Sequence, residues 1–218
     1  LDVIITGTTT GGTNGKTTKL YRNDGNSAFT EISINVIEMT NGDIKWLDLE
    51  GDGDLDFIEV GHSGGTGHAA LLYINNGQNS FTLLGSLFGV ENGEVDCGDY
   101  DNDGNMDILI TGEKYSSTSY TNIYQNNGNL TFNSISTASL LQLSIGASQW
   151  GDYDADGDLD FLITGYDQDN NSYNSTIYNN NGGAFTSVFN PTSFTLSTAR
   201  WADYDNDGDL DFMIAGRR

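Results

Sequence analysis

Short apolar segments alternate along the whole chain with segments rich in Gly, Asn and Asp. Residues 159–164, 176–178 and 184–189 are examples, since each is a run of β-forming residues bounded by turn-forming residues. Runs of this length and composition are typical of strands. The Asn-Gly and Asp-Gly pairs between them favour hairpin turns, because these residues accept positive φ. No segment shows the apolar spacing of an amphipathic helix. The pattern therefore predicts an all-β protein.

One acidic segment recurs at nearly constant spacing. It starts at residues 48, 99, 152 and 203, so the intervals are 51, 53 and 51 residues. Each copy has the form D-x-(D/E)-x-D-G-x-x-D and leads into a mainly apolar run that ends in Gly. Two further markers keep the same phase. One is a Tyr-x-Asn-(Asn/Asp)-Gly turn with a Phe shortly after it. The other lies two residues before each acidic segment: Trp46, Cys97, Trp150 and Trp201.

Each repeat holds about four strands, a number and period typical of a β-propeller blade. We therefore predict one β-propeller-type repeat domain over residues 1–218, with about four four-stranded blades and a partial unit at residues 1–47. This is a partial or small propeller with the acidic loops between strands. A stacked solenoid is the alternative, whereas a two-sheet sandwich is less favoured because sandwiches do not repeat at this fidelity. Leu1 to Gly7 match the end of the repeat motif, with Asp2 at its ninth position, so we expect that a preceding segment was removed or left out.

Composition argues against several classes of partner. The chain has 8 Lys and Arg against 31 Asp and Glu, which gives a net charge of −23. Nucleic acids and anionic membranes both need a basic surface, so neither is an expected partner. The single cysteine, Cys97, excludes an internal disulfide and a multi-cysteine zinc site, and we expect it to be a buried apolar filler. No apolar run reaches the length of about 18 residues that a membrane span needs, so we predict no membrane insertion.

The acidic segments hold 19 of the 31 Asp and Glu residues. So many adjacent carboxylates repel one another unless a cation neutralises them, and Ca²⁺ takes roughly six to eight oxygen ligands from loops of this kind. Positions 1, 3 and 5 direct side chains at one centre, and the Gly at position 6 permits a sharp turn. Position 7 offers its backbone carbonyl, and position 9 returns a last carboxylate. We therefore predict about four Ca²⁺ ions per chain, held by Asp48, Glu50, Asp52, Asp54, Asp56, Asp99, Asp101, Asp103, Asn105, Asp107, Asp152, Asp154, Asp156, Asp158, Asp160, Asp203, Asp205, Asp207, Asp209 and Asp211.

Other readings of the acidic segments are weaker. Mg²⁺ requires octahedral geometry and keeps its waters, and Zn²⁺ prefers the His and Cys ligands that these loops lack. An EF-hand needs a Glu at position 12 and flanking helices. That position is Glu59, Ile110, Ile163 and Ile214, always in a strand-like run. Turns without a metal would explain one such loop, but four in register with the Gly kept favour a metal. Glu50 replaces Asp at position 3 of the first loop, so we expect that site to bind differently.

On these four loops, and on the apolar strand and Gly that follow each, the chain resembles FG-GAP/VCBS repeat proteins. Such repeats are the blades of integrin α-subunit-like β-propellers. The resemblance covers nearly the whole chain and implies that each acidic loop joins two strands of a blade and that Ca²⁺ rigidifies one face. It also implies a secreted or cell-surface recognition or adhesion module. Integrin-like propellers have seven blades, and this chain has four complete repeats. We therefore expect a segment of a longer propeller, with a four-bladed ring or self-association to close a ring as alternatives.

Ligand binding is predicted in the segments after the apolar strands, at residues 7–18, 61–69, 112–121 and 165–175, which vary in length and content. Variable loops on a rigid scaffold are where binding usually resides. Four tyrosines in these segments could stack on sugar rings or anchor a protein: Tyr115, Tyr120, Tyr166 and Tyr173. The only two histidines, His62 and His68, lie in the second segment. We expect a flexible exposed loop there, with a metal or proton-transfer role as the alternative.

Together these observations predict a calcium-stabilised recognition module that binds a protein or carbohydrate ligand, with Ca²⁺ in a structural role. No Ser/His/Asp or Cys/His set can be placed, and no carboxylate pair stands apart from the acidic loops. We therefore predict that the chain is not an enzyme. Two alternatives stay open: a carbohydrate-binding or accessory propeller of a secreted polysaccharide-degrading enzyme, and an architectural spacer in a large surface protein.

Overall fold

The computed structural model describes residues 2–9, 15–65, 67–115, 117–135 and 139–217. Within these residues the regular structure consists of seventeen β-strands. In chain order they are β1 (Val3–Thr8), β2 (Lys16–Gly25), β3 (Ala28–Ile32), β4 (Thr40–Leu47), β5 (Asp56–His62), β6 (His68–Asn75), β7 (Phe81–Val90), β8 (Val95–Gly98), β9 (Asp107–Lys114), β10 (Thr118–Asn126), β11 (Phe132–Ser134), β12 (Ser144–Gly151), β13 (Asp160–Asp167), β14 (Ser172–Asn181), β15 (Ala184–Phe189), β16 (Thr195–Ala202) and β17 (Asp211–Arg217). This part of the chain contains no helix that is long and apolar enough to cross a lipid bilayer.

The chain divides into two compact units, residues 1–91 and 92–218. In the first unit, β1–β3 form a three-stranded sheet and β4–β7 a four-stranded sheet. In the second unit, β8–β11 and β12–β15 form two four-stranded sheets, and β16 pairs with β17. Strands that are consecutive within a sheet are antiparallel neighbours. The predicted all-β fold of four-stranded antiparallel sheets is therefore confirmed, and such sheets are of the kind that forms propeller blades. The single domain over residues 1–218 stays a prediction.

Each four-stranded sheet begins one strand earlier than the acidic repeat. Its first strand ends beside the Trp or Cys marker, and the acidic segment connects that strand to the second strand. In the four-stranded sheets the predicted ligand segments 61–69, 112–121 and 165–175 therefore connect the second and third strands, and they are shorter than expected. The remaining predicted segment, 7–18, includes residues 10–14, which lie outside the described residues. Residues 63–67 separate β5 from β6, 115–117 separate β9 from β10, and 168–171 separate β13 from β14. The strands extend into these segments because continued pairing satisfies the backbone N–H and C=O groups.

The aromatic markers of the repeat form the core of the sheets. Phe57 stacks on Tyr73 with a centroid distance of 4.7 Å and meets Trp46 and Phe81 edge-on at 5.8 and 5.2 Å. Stacked and edge-to-face pairs of this kind add stability beyond the area they bury. The sheet β12–β15 repeats the arrangement with Trp150, Phe161, Tyr178 and Phe185. The markers recur in the sequence because they pack together in each of these two sheets.

The sheet β8–β11 departs from this core. Cys97 pairs with Ile108 at the place where the sheets β4–β7 and β12–β15 pair a Trp with a Phe. The expectation that Cys97 is a buried filler is wrong, since it is only half-buried. A small side chain fills less of the space that a Trp occupies. Tyr100, in the acidic loop that follows, stacks on Trp150 at 6.0 Å, so the core of the second unit continues from this sheet to the next.

A β-bulge lies near the start of the first strand in two of the four-stranded sheets. The register shifts between Thr40 and Asp43 and again between Ser144 and Ala147. A Cβ added to Gly42 or Gly146 would lie 1.9 or 1.8 Å from a carbonyl oxygen of the second strand. Glycine is required there because the two backbones approach too closely for any side chain.

Candidate metal centres in the acidic loops

The carboxylate at position 1 organises the backbone of each acidic loop. In the second loop, Asp99 Oδ1 accepts the N–H of Asp103 at 3.0 Å, and Asp99 Oδ2 accepts the N–H of Gly104 at 2.9 Å. The same pair of bonds is made by Asp48, Asp152 and Asp203. Short-range bonds from Asp to backbone N–H groups favour turns. The loop conformation is therefore encoded by its own residues.

Position 6 confirms the predicted need for glycine. Its φ is 90°, 91°, 95° and 101° in Gly53, Gly104, Gly157 and Gly208. Side chains with a Cβ avoid this region, and the turn it creates brings the N–H of position 7 onto the carboxylate at position 5 in every loop. These acceptors are Asp52, Asp103, Asp156 and Asp207.

The carboxylate at position 9 ties the loop to the sheet. Asp107 is fully buried, and its two oxygens accept the N–H of Tyr100 at 3.0 Å and of Asn126 at 2.8 Å. Asp56 and Asp160 are also buried and make the equivalent pair of bonds. Asp211 is less buried and accepts the N–H of Tyr204 at 3.3 Å. Each buried carboxylate thus joins its own loop to the end of the third strand.

Burial raises the pKa of these carboxyl groups. The pKa is raised to about 7 for Asp107 and to about 6 for Asp160, and it moves in the same direction for Asp56. Neighbouring loop carboxylates raise it further, and the two backbone hydrogen bonds oppose them. A cation at the site would favour the ionised form and act against the burial effect.

The Asn of the Tyr-x-Asn turn supports the acidic loop, a role that the sequence pattern did not predict. Asn126 gives its backbone N–H to Asp107 and its side-chain Nδ2 to the carbonyl of Met106, at position 8 of the loop. Its Oδ1 accepts the N–H of Gly128 in the turn. Asn75 makes the same contacts. Asn180 makes the same bonds to its loop, and its Oδ1 accepts the N–H of Gly183, one residue further along the turn. The N–H of Asn23 bonds to Asp2 as that of Asn126 bonds to Asp107. The sequence signal for this role is that the turn and the acidic loop recur at the same spacing.

Three of the four loops bring the carboxylates of positions 1, 3 and 9 together. One oxygen from each residue lies within 4.8 Å of the other two. The groups are Asp99, Asp101 and Asp107; Asp152, Asp154 and Asp160; and Asp203, Asp205 and Asp211. Each is an acidic cluster with only oxygen donors that could hold a metal ion.

The predicted ligands at positions 5 and 7 are not part of these groups. They are Asp52, Asp54, Asp103, Asn105, Asp156, Asp158, Asp207 and Asp209, all among the residues that the structure describes. The Asp158 side chain, at position 7, accepts a hydrogen bond from a neighbouring loop. The side-chain amide of Asn102 in the second loop donates to Asp158 Oδ1 at 2.9 Å and to the Gly157 carbonyl at 3.1 Å. Ligation through positions 5 and 7 stays a prediction.

The first loop differs, in line with the substitution at position 3. Asp48, Glu50 and Asp56 are described residues but form no such group. In the second and third loops a side-chain amide holds position 3, since Gln125 donates to Asp101 at 2.6 Å and Asn179 to Asp154 at 2.8 Å. The corresponding residue beside the first loop is Ile74, which has no amide, and Glu50 is longer by one methylene. Burial and the nearby Asp carboxylates raise the pKa of Glu50.

The four predicted ligand-binding tyrosines are placed differently from one another. Tyr115 lies between β9 and β10 and is 55% exposed, and Tyr173 lies in β14 and is 47% exposed. Tyr166, in β13, pairs with Tyr173, and the two rings are 5.4 Å apart. Tyr120 is in β10 and not in a loop. Its hydroxyl lies 2.9 Å from that of Tyr124, and burial raises its pKa.

Comparison with known families agrees with this architecture. Three overlapping stretches match the model of the FG-GAP-like repeat, at residues 48–110, 99–163 and 152–214. Each stretch begins at position 1 of an acidic loop and ends in the strand after the next loop. No curated protein gave a match. Because the three stretches together span residues 48–214, the chain belongs to the FG-GAP-like repeat family.

Proposed function

We propose that the acidic loops bind Ca²⁺ and that the ion stabilises an extracellular recognition module. The observation that supports this most strongly is the convergence of positions 1, 3 and 9 in three loops, each within 4.8 Å. Every donor is a carboxylate oxygen, as a hard cation prefers. Ca²⁺ accepts irregular oxygen coordination, whereas Mg²⁺ demands a near-ideal octahedron.

The ion has a structural role in this proposal. Without a cation, the three carboxylates of each group repel one another in a chain of net charge −23, and in two of the groups one of the three is buried. With a cation, the ninth position links the ion to both the loop and the hairpin turn. When the free Ca²⁺ concentration is ten times the dissociation constant of a site, binding at that site stabilises the folded chain by about 1.4 kcal/mol. Extracellular Ca²⁺ is high enough to fill loops of modest affinity, which supports a secreted or cell-surface location.

Calcium binding is tested one loop at a time. Asp154→Asn should remove one bound Ca²⁺ and lower the melting temperature in calcium but not in chelator. The matched control is Asp169→Asn, an exposed acid at 168–171 with the same change of charge. Calorimetric titration with Ca²⁺ measures both variants. The proposal fails for this loop if Asp154→Asn binds as many ions, as tightly, as the unaltered chain does.

We propose that the ligand binds where the β9–β10 and β13–β14 hairpins meet. Ser119 Oγ lies 2.9 Å from the Tyr166 carbonyl and accepts the N–H of Gln168 at 3.1 Å. The exposed rings of Tyr115 and Tyr173 belong to these two hairpins. Exposed aromatic rings on a supported surface can stack on a sugar or anchor a protein.

A screen against glycans and extracellular matrix proteins tests this surface. The double variant Tyr115→Ala and Tyr173→Ala should lose the binding that the unaltered chain shows. Tyr204→Ala is the control, since Tyr204 is 80% exposed but lies in the fourth acidic loop. Binding to glycans alone would favour an accessory module of a polysaccharide-degrading enzyme. If no ligand is found in calcium, the spacer alternative replaces the recognition role.

A further inference from the structure

Two histidines and a glutamate meet at one end of the sheet β4–β7, outside the acidic loops. His62 is the last residue of β5, His68 is the first of β6, and the two pair directly in the register of the strands. Glu91 follows β7, where Val90 pairs with Ala69, the neighbour of His68. One ligand atom from each side chain lies within 4.8 Å of the other two. The pairing of three strands therefore brings these side chains together.

Each histidine contacts a different oxygen of Glu91, at nearly the spacing of the ligands around a small tetrahedral ion. His62 Nδ1 lies 3.1 Å from Glu91 Oε2, and His68 Nε2 lies 3.1 Å from Glu91 Oε1. Zn²⁺ with bonds of about 2.0–2.1 Å places neighbouring ligand atoms about 3.3–3.4 Å apart in a tetrahedron. One ligand atom from each residue already lies within 4.8 Å of the other two, so a turn of the Glu91 carboxylate and a small separation of the donor atoms would admit an ion.

The cluster is held in place and still open to solvent. The side chains of His62, His68 and Glu91 are 28%, 11% and 19% exposed. The two histidines lie in strands, so the expected exposed loop is wrong for them. The equivalent strand pairs in the other two four-stranded sheets are Glu113 with Ser119 and Tyr166 with Tyr173. The cluster is thus specific to this sheet and is not a feature of the repeat.

We propose that His62, His68 and Glu91 form a site for a divalent transition metal of the Zn²⁺ class, separate from the calcium loops. Two imidazole nitrogens and one carboxylate are a common Zn²⁺ ligand set, and water fills the fourth position. Ca²⁺ prefers oxygen ligands, so the two kinds of site should not compete. The inference stands or falls independently of the proposed recognition function.

The test is a Zn²⁺ titration of the whole chain in excess Ca²⁺. One Zn²⁺ should bind per chain, and Co²⁺ in its place should give the intense visible absorption of a tetrahedral complex. His62→Gln, His68→Gln and Glu91→Gln should each weaken Zn²⁺ binding by roughly 100-fold. Glu113→Gln, at the position that corresponds to His62, should leave it unchanged. Circular dichroism and denaturant unfolding of each variant report whether the fold is retained.

A direct measurement on the unaltered chain needs no variant. The chain has two histidines, so Zn²⁺ should shift the imidazole NMR signals of both residues together, at one equivalent. The inference is overturned if the imidazole signals do not respond to Zn²⁺. It is also overturned if folded His62→Gln and His68→Gln bind Zn²⁺ as tightly as the unaltered chain, because the ion then lies elsewhere.

Discussion

Glu59 is a buried acid whose ionisation should control the pH dependence of stability in the first unit. It stands in β5 where the other repeats have Ile110, Ile163 and Ile214. The side chain has no solvent exposure. Its Oε1 accepts hydrogen bonds from the hydroxyls of Thr6 and Thr18, whereas its Oε2 has no hydrogen-bond partner among the residues that the structure describes. Burial raises the pKa of Glu59 from 4.5 to about 7, against the effect of the two threonines.

The raised pKa fixes the sign of the effect. Between pH 4.5 and 7 the folded chain keeps a proton on Glu59 that the unfolded chain releases, so the free energy of unfolding falls as the pH rises. The stabilisation is fully present below about pH 4.5 and is lost by pH 7 to 8. The difference between the two pKa values corresponds to about 3 kcal/mol.

Glu59→Gln should remove this loss, because glutamine is neutral at every pH and its Oε1 can accept the same two hydroxyls. The variant should have a higher free energy of unfolding than the unaltered chain, and this difference should be about 2–3 kcal/mol larger at pH 8 than at pH 5. Urea unfolding in saturating Ca²⁺ measures it at both pH values. Asn35→Gln is the control, since Asn35 is exposed and carries no titratable group, so its effect should not change with pH. A Glu59→Gln variant that gains nothing at pH 8 relative to pH 5 would refute the reasoning.

Three further variants test the fold and the loops. Gly146→Ala should lower the free energy of unfolding by more than about 2 kcal/mol, because its Cβ would meet the Thr164 carbonyl. Gly85→Ala is the control and should change it little, since no atom of the described residues lies within 4 Å of the added Cβ; denaturant unfolding compares the two variants. Asn180→Ala should lower the free energy of unfolding by about 1–3 kcal/mol in the same measurement, since it removes the amide that bonds to the carbonyls of Tyr100 and Leu159. An unchanged free energy of unfolding would show that these bonds do not stabilise the fold. Glu50→Asp combined with Ile74→Gln recreates the position-3 support of the second loop, and calorimetry should show tighter Ca²⁺ binding at the first loop; unchanged binding would show that position 3 does not set its affinity.

The strands and acidic turns could be predicted because neighbouring residues encode them. The Asp at position 1 bonds to N–H groups four and five residues later, and the Gly at position 6 supplies the required φ. These interactions leave a direct pattern in the sequence. The aromatic markers were equally visible, because Trp46, Phe57 and Tyr73 recur at their counterparts in the sheet β12–β15.

Features that depend on strand register could not be predicted in the same way. The boundaries of the sheets lie one strand away from the boundaries of the repeat. This offset could not be predicted, because the sequence does not mark which strands pair. Glu91 lies 23 residues from His68 and approaches it only because β7 pairs with β6. The position-3 supports Gln125 and Asn179 are likewise placed by the third strand of each sheet. Long-range pairing, and not local propensity, decides these contacts.

The most direct test of calcium-dependent folding is metal analysis of the dialysed protein together with thermal unfolding in Ca²⁺ and in chelator. Three loops gather their carboxylates, and all three lie in residues 92–218. At least three Ca²⁺ ions per chain should therefore be found, with weaker binding at the loop of Glu50, and chelator should lower the melting temperature markedly. A chain that retains no Ca²⁺ and melts at the same temperature in chelator would contradict the proposal and leave the acidic loops as turns without a metal.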